Sequence, residues 1–182
     1  HGLMLGSVSE ACLHHTSVPL AIIRAGAAGG AVRGEERAPS TAGGGRIVVG
    51  VDGSESARRA LHWALDEARR RRVCVDVVHA WQPPYVVPSP FAGLPLDVDV
   101  IEKHARATLD HAVDAEDTRR QPAPVERILV RDGAARAVLD TAAGADLVAL
   151  GTRGLGGFRG LVLGSVTHHV AHHVQCPLVV IP

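Results

Sequence analysis

The chain has 182 residues, of which 46% are hydrophobic but only 3% aromatic, and this composition predicts an aliphatic core like that of a buried parallel sheet. Its 19 basic and 19 acidic residues cancel and no apolar run reaches the ~18 residues of a membrane span, so neither nucleic acid nor a membrane is expected as a partner. The three cysteines, Cys12, Cys74 and Cys176, have no metal-like spacing, which favours a reducing, cytoplasmic location.

The start of the chain repeats its end. A shift of 158 positions superposes three pairs of segments: 2–8 (GLMLGSV) on 160–166 (GLVLGSV), 14–15 (HH) on 172–173 (HH), and 19–20 (PL) on 177–178 (PL). Similarity at a domain-sized offset indicates two copies of one module, with chance similarity of two helix–strand units as the alternative. We therefore expect residues 1–24 to be the last helix and strand of a first domain, residues 25–45 a Gly/Ala-rich linker, and residues 46–182 a complete domain. Because the sequence begins at His1, it is expected to be a fragment.

Strands and helices alternate through the predicted complete domain. Short β-branched or apolar runs predict strands at 46–51, 73–80, 125–130, 146–151 and 178–181, and apolar residues at helical spacing predict helices at 57–72, 100–117, 134–143 and 166–173. A proline-rich loop is expected at 81–98. Such alternation implies right-handed crossovers, and hence an open, Rossmann-like α/β fold with a five-stranded parallel sheet and helices on both faces. The expected strand order is 3-2-1-4-5.

A glycine motif lies between the fourth strand and the last helix. Gly151-Thr-Arg-Gly154 is followed after nine residues by Gly164-Ser165, in the pattern G-x2-G-x9-G-[ST]. Glycines between a strand and a helix let the backbone approach a ligand, and the helix N-terminus offers unpaired N–H groups to anionic oxygens. Asp52 ends the first strand and Gly151 ends the fourth, so both are expected at the crevice where the strand order reverses.

These motifs give residues 46–182 a resemblance to the universal stress protein family. The matching segments are 49–54 (VGVDGS), 78–80 (VHA), 151–165, and 176–181 (CPLVVI). The resemblance implies an adenine nucleotide alpha hydrolase-like fold that binds ATP, alone or with magnesium. It further implies adenine near the backbone of Ala80 and ribose near Asp52. The implied phosphate donors are Arg153, Gly154, Gly164, Ser165 and Val166, with Gly50 and Gly151 completing the expected binding residues.

The resemblance also implies how modules of this type assemble. Two modules pair their fifth strands antiparallel across a pseudo-twofold axis, which covers an apolar edge that would otherwise aggregate. Residues 20–23 are the equivalent strand of the incomplete first copy, so they are expected to dock on the edge at 178–181, or else two chains pair as a homodimer. The first copy lacks its own glycine pair and aspartate and is not expected to bind ATP.

Several residues allow a plainer interpretation. Asp52 could be a turn residue, and Arg153 and Arg159 could be solvated side chains. Four histidines (His168, His169, His172 and His173) form i, i+4 pairs, but no third kind of metal ligand is evident, so no metal site is predicted. Neither Cys176, which enters a buried strand, nor Ser165, which lacks a Gly-x-Ser-x-Gly elbow, is expected to be a catalytic nucleophile.

The predicted function is therefore an ATP-binding regulatory or stress-response module without dedicated fast chemistry, and no catalytic residue is assigned. The first alternative is a slow ATP hydrolase or adenylating enzyme on the same fold, which would need a positioned base near the γ-phosphate. The second alternative is an assembly module whose glycine loop binds nothing.

Overall fold

The computed structural model describes residues 5–23, 45–83, 97–116, 123–156 and 163–182. In chain order the elements are α1 (Ser7–His15), β1 (Leu20–Ile22), β2 (Arg46–Gly50), α2 (Glu55–Arg71), β3 (Cys74–Ala80), α3 (Val98–Asp114), β4 (Val125–Val130), α4 (Ala134–Thr141), β5 (Leu147–Gly151), α5 (Ser165–His173) and β6 (Leu178–Ile181). Arg159, most of the expected linker and most of the proline-rich loop lie outside the described residues.

The strands form one sheet in the order β1-β6-β5-β2-β3-β4. Among β2 to β6, each adjacent pair of strands is parallel. Their order, β4-β3-β2-β5-β6, is the expected 3-2-1-4-5 when β2 is counted as the first strand, so the Rossmann-like α/β class is confirmed. The expectation of five strands was wrong, because β1 adds a sixth strand antiparallel to β6. An apolar edge strand presents unpaired N–H and C=O groups, and β1 satisfies those of β6.

Helix ends are set by local capping. The Ser54 side chain accepts a hydrogen bond from the Ala57 N–H at 3.3 Å, so α2 begins at Glu55, two residues before the expected start. It ends at Arg71, where Arg72 adopts a left-handed conformation (φ 58°). Asp97 caps α3 in the same way by accepting from the Asp99 N–H, which places that helix at Val98 instead of 100.

Both faces of the sheet are covered, as the period-2 alternation of a strand requires. In β2, Ile47 and Val49 pack with α2 and α3 on one face, whereas Val48 packs with α4 and α5 on the other. Leu13 of α1 is buried within that second cluster at 1% exposure. None of the helices in the described part of the chain combines the length and apolar content that a membrane crossing requires.

The pairing of β1 with β6 has twofold symmetry. Leu20 lies opposite Val180, Ala21 opposite Val179, and Ile22 opposite Leu178. At the 158-residue offset, positions 20 and 22 are equivalent to positions 178 and 180, so each strand meets the equivalent residues of the other. This reciprocity is the mark of an isologous contact, and a pseudo-twofold axis passes between Ala21 and Val179.

Candidate functional site

A cavity of about 450 Å³ opens at the carboxyl ends of β2, β3 and β5. It lies where the strand order reverses, because β2 has β5 on one side and β3 on the other. All nine residues expected to bind nucleotide line it: Gly50, Asp52, Ala80, Gly151, Arg153, Gly154, Gly164, Ser165 and Val166. The structure therefore brings together two sequence motifs that are about one hundred residues apart in the chain.

The apolar part of the lining was not anticipated from the sequence. Val51, Val78, Val138, Leu150 and Leu163 contribute side chains to the cavity wall. Four of them lie in segments that were predicted as strands or helices, and Leu163 lies in the glycine loop. Nothing in the hydrophobic pattern separates a cavity wall from a packed interior. Only the strand order shows which apolar residues reach the crevice.

Gly151 brings the end of β5 against the first turn of α2. A Cβ atom at this position would lie 2.6 Å from the Ser56 carbonyl carbon and 2.8 Å from the Ser56 carbonyl oxygen. The neighbouring Ser56 hydroxyl donates to the carbonyl oxygen of Arg153, which holds the segment after β5 against α2. Any side chain at position 151 would thus force two backbone segments apart, so glycine is needed here for packing as well as for access to the cavity.

The N-terminus of α5 opens into the cavity. Gly164 is its N-cap residue in an extended conformation (φ −74°, ψ 148°), and the residues that follow it, Ser165, Val166 and Thr167, all line the wall. The first intrahelical hydrogen bond runs from the His168 N–H to the Gly164 carbonyl at 2.9 Å. By helix geometry the N–H groups before His168 have no intrahelical acceptor, and they carry the positive end of the helix dipole.

Thr167 is a further site residue that the sequence did not single out. Its hydroxyl is buried and donates to the Gly151 carbonyl oxygen at 2.7 Å, while the Gly164 N–H donates to the Thr152 carbonyl at 2.7 Å. These two hydrogen bonds hold the first turn of α5 at the end of β5. Thr167 lies two residues after Ser165, outside the glycine motif, and the sequence carries no signal for this contact.

Asp52 ties the two loops of the site together. Its Oδ1 accepts from the Ser54 N–H at 2.9 Å, and its Oδ2 accepts from the Leu155 N–H at 2.8 Å across the crevice. The first bond is the plain turn role, and the second links strand β2 to the glycine segment. A Cβ at Gly154 would overlap Oδ2 of Asp52, so glycine at 154 is what allows this link.

At the end of β3, Ala80 reaches the cavity between two anchored neighbours. His79 Nδ1 lies 2.7 Å from the Val51 carbonyl oxygen and, facing an acceptor, donates its hydrogen to it. Trp81 is nearly buried, with the Arg131 guanidinium 5.4 Å from the centre of its ring. The backbone of β3 is thereby fixed beside β2 at the rim of the cavity.

The charges at the site are few. Among the described residues that line the cavity, Asp52 and Arg153 carry the ionisable side chains, and both oxygens of Asp52 already accept backbone hydrogen bonds. Cys176 is no candidate nucleophile, because burial raises the pKa of its thiol to about 11. Described lining residues thus offer hydrogen-bond donors and apolar walls, with no histidine, lysine or glutamate to move a proton.

Comparison with known proteins agrees with this architecture. The profile of the universal stress protein family matches residues 45–182. Universal stress protein Rv2005c of Mycobacterium tuberculosis is 34% identical over 177 residues, which cover 97% of this chain but 56% of that relative. The chain thus spans little more than half the length of this relative.

Solved structures show the same fold. A universal stress protein in complex with cAMP is 25% identical, with a TM-score of 0.58, and the match covers 76% of this chain and 97% of that one. A universal stress protein from Archaeoglobus fulgidus in complex with dAMP is 30% identical, with a TM-score of 0.53, covering 75% of this chain and 97% of that one. Fold and crevice together define a doubly wound α/β domain with a ligand-sized cavity at its strand crossover. The chain belongs to the universal stress protein family.

Proposed function

We propose that residues 46–182 bind an adenine nucleotide, with ATP as the ligand, and act as a regulatory module without fast chemistry. The observation that carries this proposal is the direction of α5. Its N-terminus opens into the cavity at the strand crossover, and the motif glycines Gly151, Gly154 and Gly164 line that same cavity. A helix end with free N–H groups favours phosphate oxygens, and glycines let those oxygens approach the backbone.

Each part of the cavity suits one part of the nucleotide. Phosphates would lie at the N–H groups of Ser165 and Val166, close to the backbone of Gly164, whose own N–H donates to Thr152. The Arg153 guanidinium would be a further donor. The apolar wall beside Ala80 suits the adenine ring, whose flat faces are weakly hydrated, and Asp52 lies between these regions as a hydrogen-bond acceptor for ribose. A cavity of about 450 Å³ falls within the range typical of small-ligand sites.

The structural relatives support the class of ligand. Family members that are 25% and 30% identical were solved with cAMP and dAMP, and both ligands combine an adenine base with a phosphate. ATP presents two more phosphates to the same kind of helix end. Gly154 and Gly156 provide further backbone at the cavity, and residues 157–162 lie outside the described part of the chain.

Binding is favoured over catalysis because the described lining residues lack a free general base. Asp52 is the only carboxylate there, and its two oxygens are engaged by backbone N–H groups. Slow hydrolysis or adenylation on the same fold is the alternative function. Release of labelled phosphate at a rate that falls in a site variant would support that alternative.

The expected assembly extends the proposal. Residues 1–24 would be the end of an earlier copy of the domain, since α1 and β1 repeat α5 and β6 at the 158-residue offset. In a longer chain the partner of β6 would be the fifth strand of that copy, and in a single-domain protein it would be β6 of a second molecule. A cytoplasmic location, where ATP is available, stays part of the proposal.

Equilibrium dialysis of labelled ATP against the 182-residue chain tests the proposed ligand. Saturable one-to-one binding with a micromolar dissociation constant is expected. Competition by unlabelled AMP and cAMP shows how affinity depends on the number of phosphates and on whether the phosphate is cyclic. Binding of cAMP alone would keep the adenine site and reject ATP as its ligand. The absence of saturable binding for all three nucleotides would reject the function.

A further inference from the structure

Helices α1 and α5 bring three metal-ligating side chains together outside the nucleotide cavity. Glu10 and His168 occupy equivalent positions at the 158-residue offset, so the pseudo-twofold arrangement places them face to face. Oε1 of Glu10 lies 3.5 Å from Nε2 of His168, and each side chain is a little under half exposed (43% and 47%). An ion can therefore reach this pair from solvent.

His172 completes the group. It lies one helical turn after His168, and the centres of the two imidazole rings are 4.7 Å apart. One ligand atom from each of Glu10, His168 and His172 lies within 4.8 Å of the other two. Histidines at i, i+4 on one helix face, joined by a carboxylate from another element, form a ligand set that zinc sites use.

The histidines of α5 alone do not reveal this group, because they offer no third ligand type. The missing ligand is 158 residues away from His168, and only the docking of α1 on α5 supplies it. A signal was nevertheless present: the internal repeat aligns Glu10 with His168, and twofold pairing brings equivalent residues near the axis together.

We propose that Glu10, His168 and His172 bind a Zn²⁺ ion at the junction between the N-terminal helix–strand unit and the complete domain. A tetrahedral zinc with bonds of about 2.0–2.1 Å needs its ligand atoms about 3.3 Å apart. The Glu10–His168 pair is already near that separation, and His172, whose ligand atom lies within 4.8 Å of both, would have to move closer on binding. Three protein ligands leave a fourth position open to water or to a further ligand.

The consequence of such a site is regulation of docking. Two ligands belong to α5 of the complete domain and one belongs to α1, so zinc binds tightly only when α1 is docked. By mass action a ligand that binds only the docked state stabilises it. Zinc would therefore control how firmly the N-terminal unit covers the β6 edge, independently of nucleotide.

The same helix contains a matched control. His169 and His173 are also an i, i+4 pair, with stacked rings whose centres are 4.3 Å apart. His173 Nδ1 lies 2.8 Å from the carbonyl oxygen of His169, and within the described residues this second pair takes part in no comparable three-ligand group. Its removal should leave zinc binding intact if Glu10 defines the site.

The test is calorimetric titration of ZnCl₂ into the nucleotide-free 182-residue chain after treatment with a chelator. One zinc per chain is expected. Both Glu10→Gln and His172→Ala should weaken zinc binding at least tenfold, because even the loss of a residue that only orients a metal ligand costs about 10–100-fold. The control carrying His169→Ala and His173→Ala should remain within twofold of the parent. Zinc should also raise the melting temperature of the parent and the control.

Three results would overturn the proposal. They are a parent that binds no zinc saturably, a Glu10→Gln variant that binds within twofold of the parent, and a His169/His173 control that weakens as much as the other variants. Either of the last two results would mean that zinc binds the histidines non-specifically and does not require this three-residue group. Since Glu10 is partly exposed, Glu10→Gln is expected to fold, and it decides the outcome if His172→Ala does not.

Discussion

Gly151 and Asp52 both hold backbone segments together and line the cavity. Gly151→Ala would place a Cβ atom 2.6 Å from the backbone of Ser56, and overpacking of this kind costs about 1–3 kcal/mol. We expect urea denaturation to show a loss of that size in the free energy of unfolding. Gly156→Ala is the control, because a Cβ at that cavity-lining position meets nothing within 4 Å. Equal stability of the two variants would refute the close contact.

Asp52→Ala should weaken ATP binding by about 1–3 kcal/mol, or roughly 5- to 150-fold, since it removes the acceptor that links the two loops. Asp132→Ala provides the control: Asp132 also accepts a backbone N–H in a turn after a strand, from Gly133 at 2.6 Å, but it does not line the cavity. Dialysis with labelled ATP measures both. If Asp52→Ala bound ATP as the parent does, its role would be confined to the turn.

Local motifs explain why these residues could be selected from the sequence. A glycine pair after an apolar run and an aspartate after a β-branched run are short-range patterns, and the structure brings all of them to one cavity. Contacts between distant segments leave no such pattern. The hydrogen bond from Thr167 to Gly151, the tie from His79 to Val51 and the approach of Glu10 to His168 each depend on the packing of whole elements.

At the scale of elements, the strands were predictable because each is a short aliphatic run, and the alternation with helices determined the class. Helix ends were less predictable, since α2 and α3 begin at capping side chains that precede the first apolar residue of the helix. The internal repeat predicted that residues 20–23 dock at 178–181, but they were not counted among the strands of the sheet. Hydrophobic periodicity within three residues does not by itself identify the edge that they join.

Docking of α1 gives a prediction about an element. Leu13 is 1% exposed in the cluster formed with α4, α5 and the sheet, so Leu13→Ala should lower the free energy of unfolding by about 2–5 kcal/mol. Val8 on the same helix is 75% exposed, and Val8→Ala should change it by less than about 0.5 kcal/mol. Chemical denaturation compares the two, and similar small effects would mean that α1 is not docked in solution.

At the scale of the whole molecule, β1 covers the apolar edge strand β6. Removing residues 1–44 would expose β6 and the surface that contacts Leu13. We expect a lower melting temperature and a dimer formed through β6, detected by light scattering as twice the monomer mass. A stable monomer with unchanged solubility and melting temperature would contradict both the docked unit and edge pairing.

The repeat also provides an internal control for the proposal that the N-terminus of α5 binds phosphate. Gly164 and Gly6 are equivalent N-cap residues with nearly the same conformation, φ −74° and ψ 148° against φ −66° and ψ 151°. Aspartate is a favourable N-cap residue, so it should preserve either helix. Only Gly164 lines the cavity, however, and only there would a new carboxylate repel phosphate. Gly154→Val is a poorer test, because its side chain would first displace Asp52.

Equilibrium dialysis of labelled ATP against Gly164→Asp and Gly6→Asp is therefore the most direct test that α5 holds the phosphates. We expect Gly164→Asp to lose at least tenfold in ATP affinity and to melt at a somewhat lower temperature, because its Cβ would lie 3.3 Å from the Thr152 carbonyl oxygen. Gly6→Asp, whose Cβ meets nothing within 4 Å, should bind ATP within twofold of the parent. Undiminished ATP binding by a folded Gly164→Asp variant would contradict the proposal that α5 holds the phosphates.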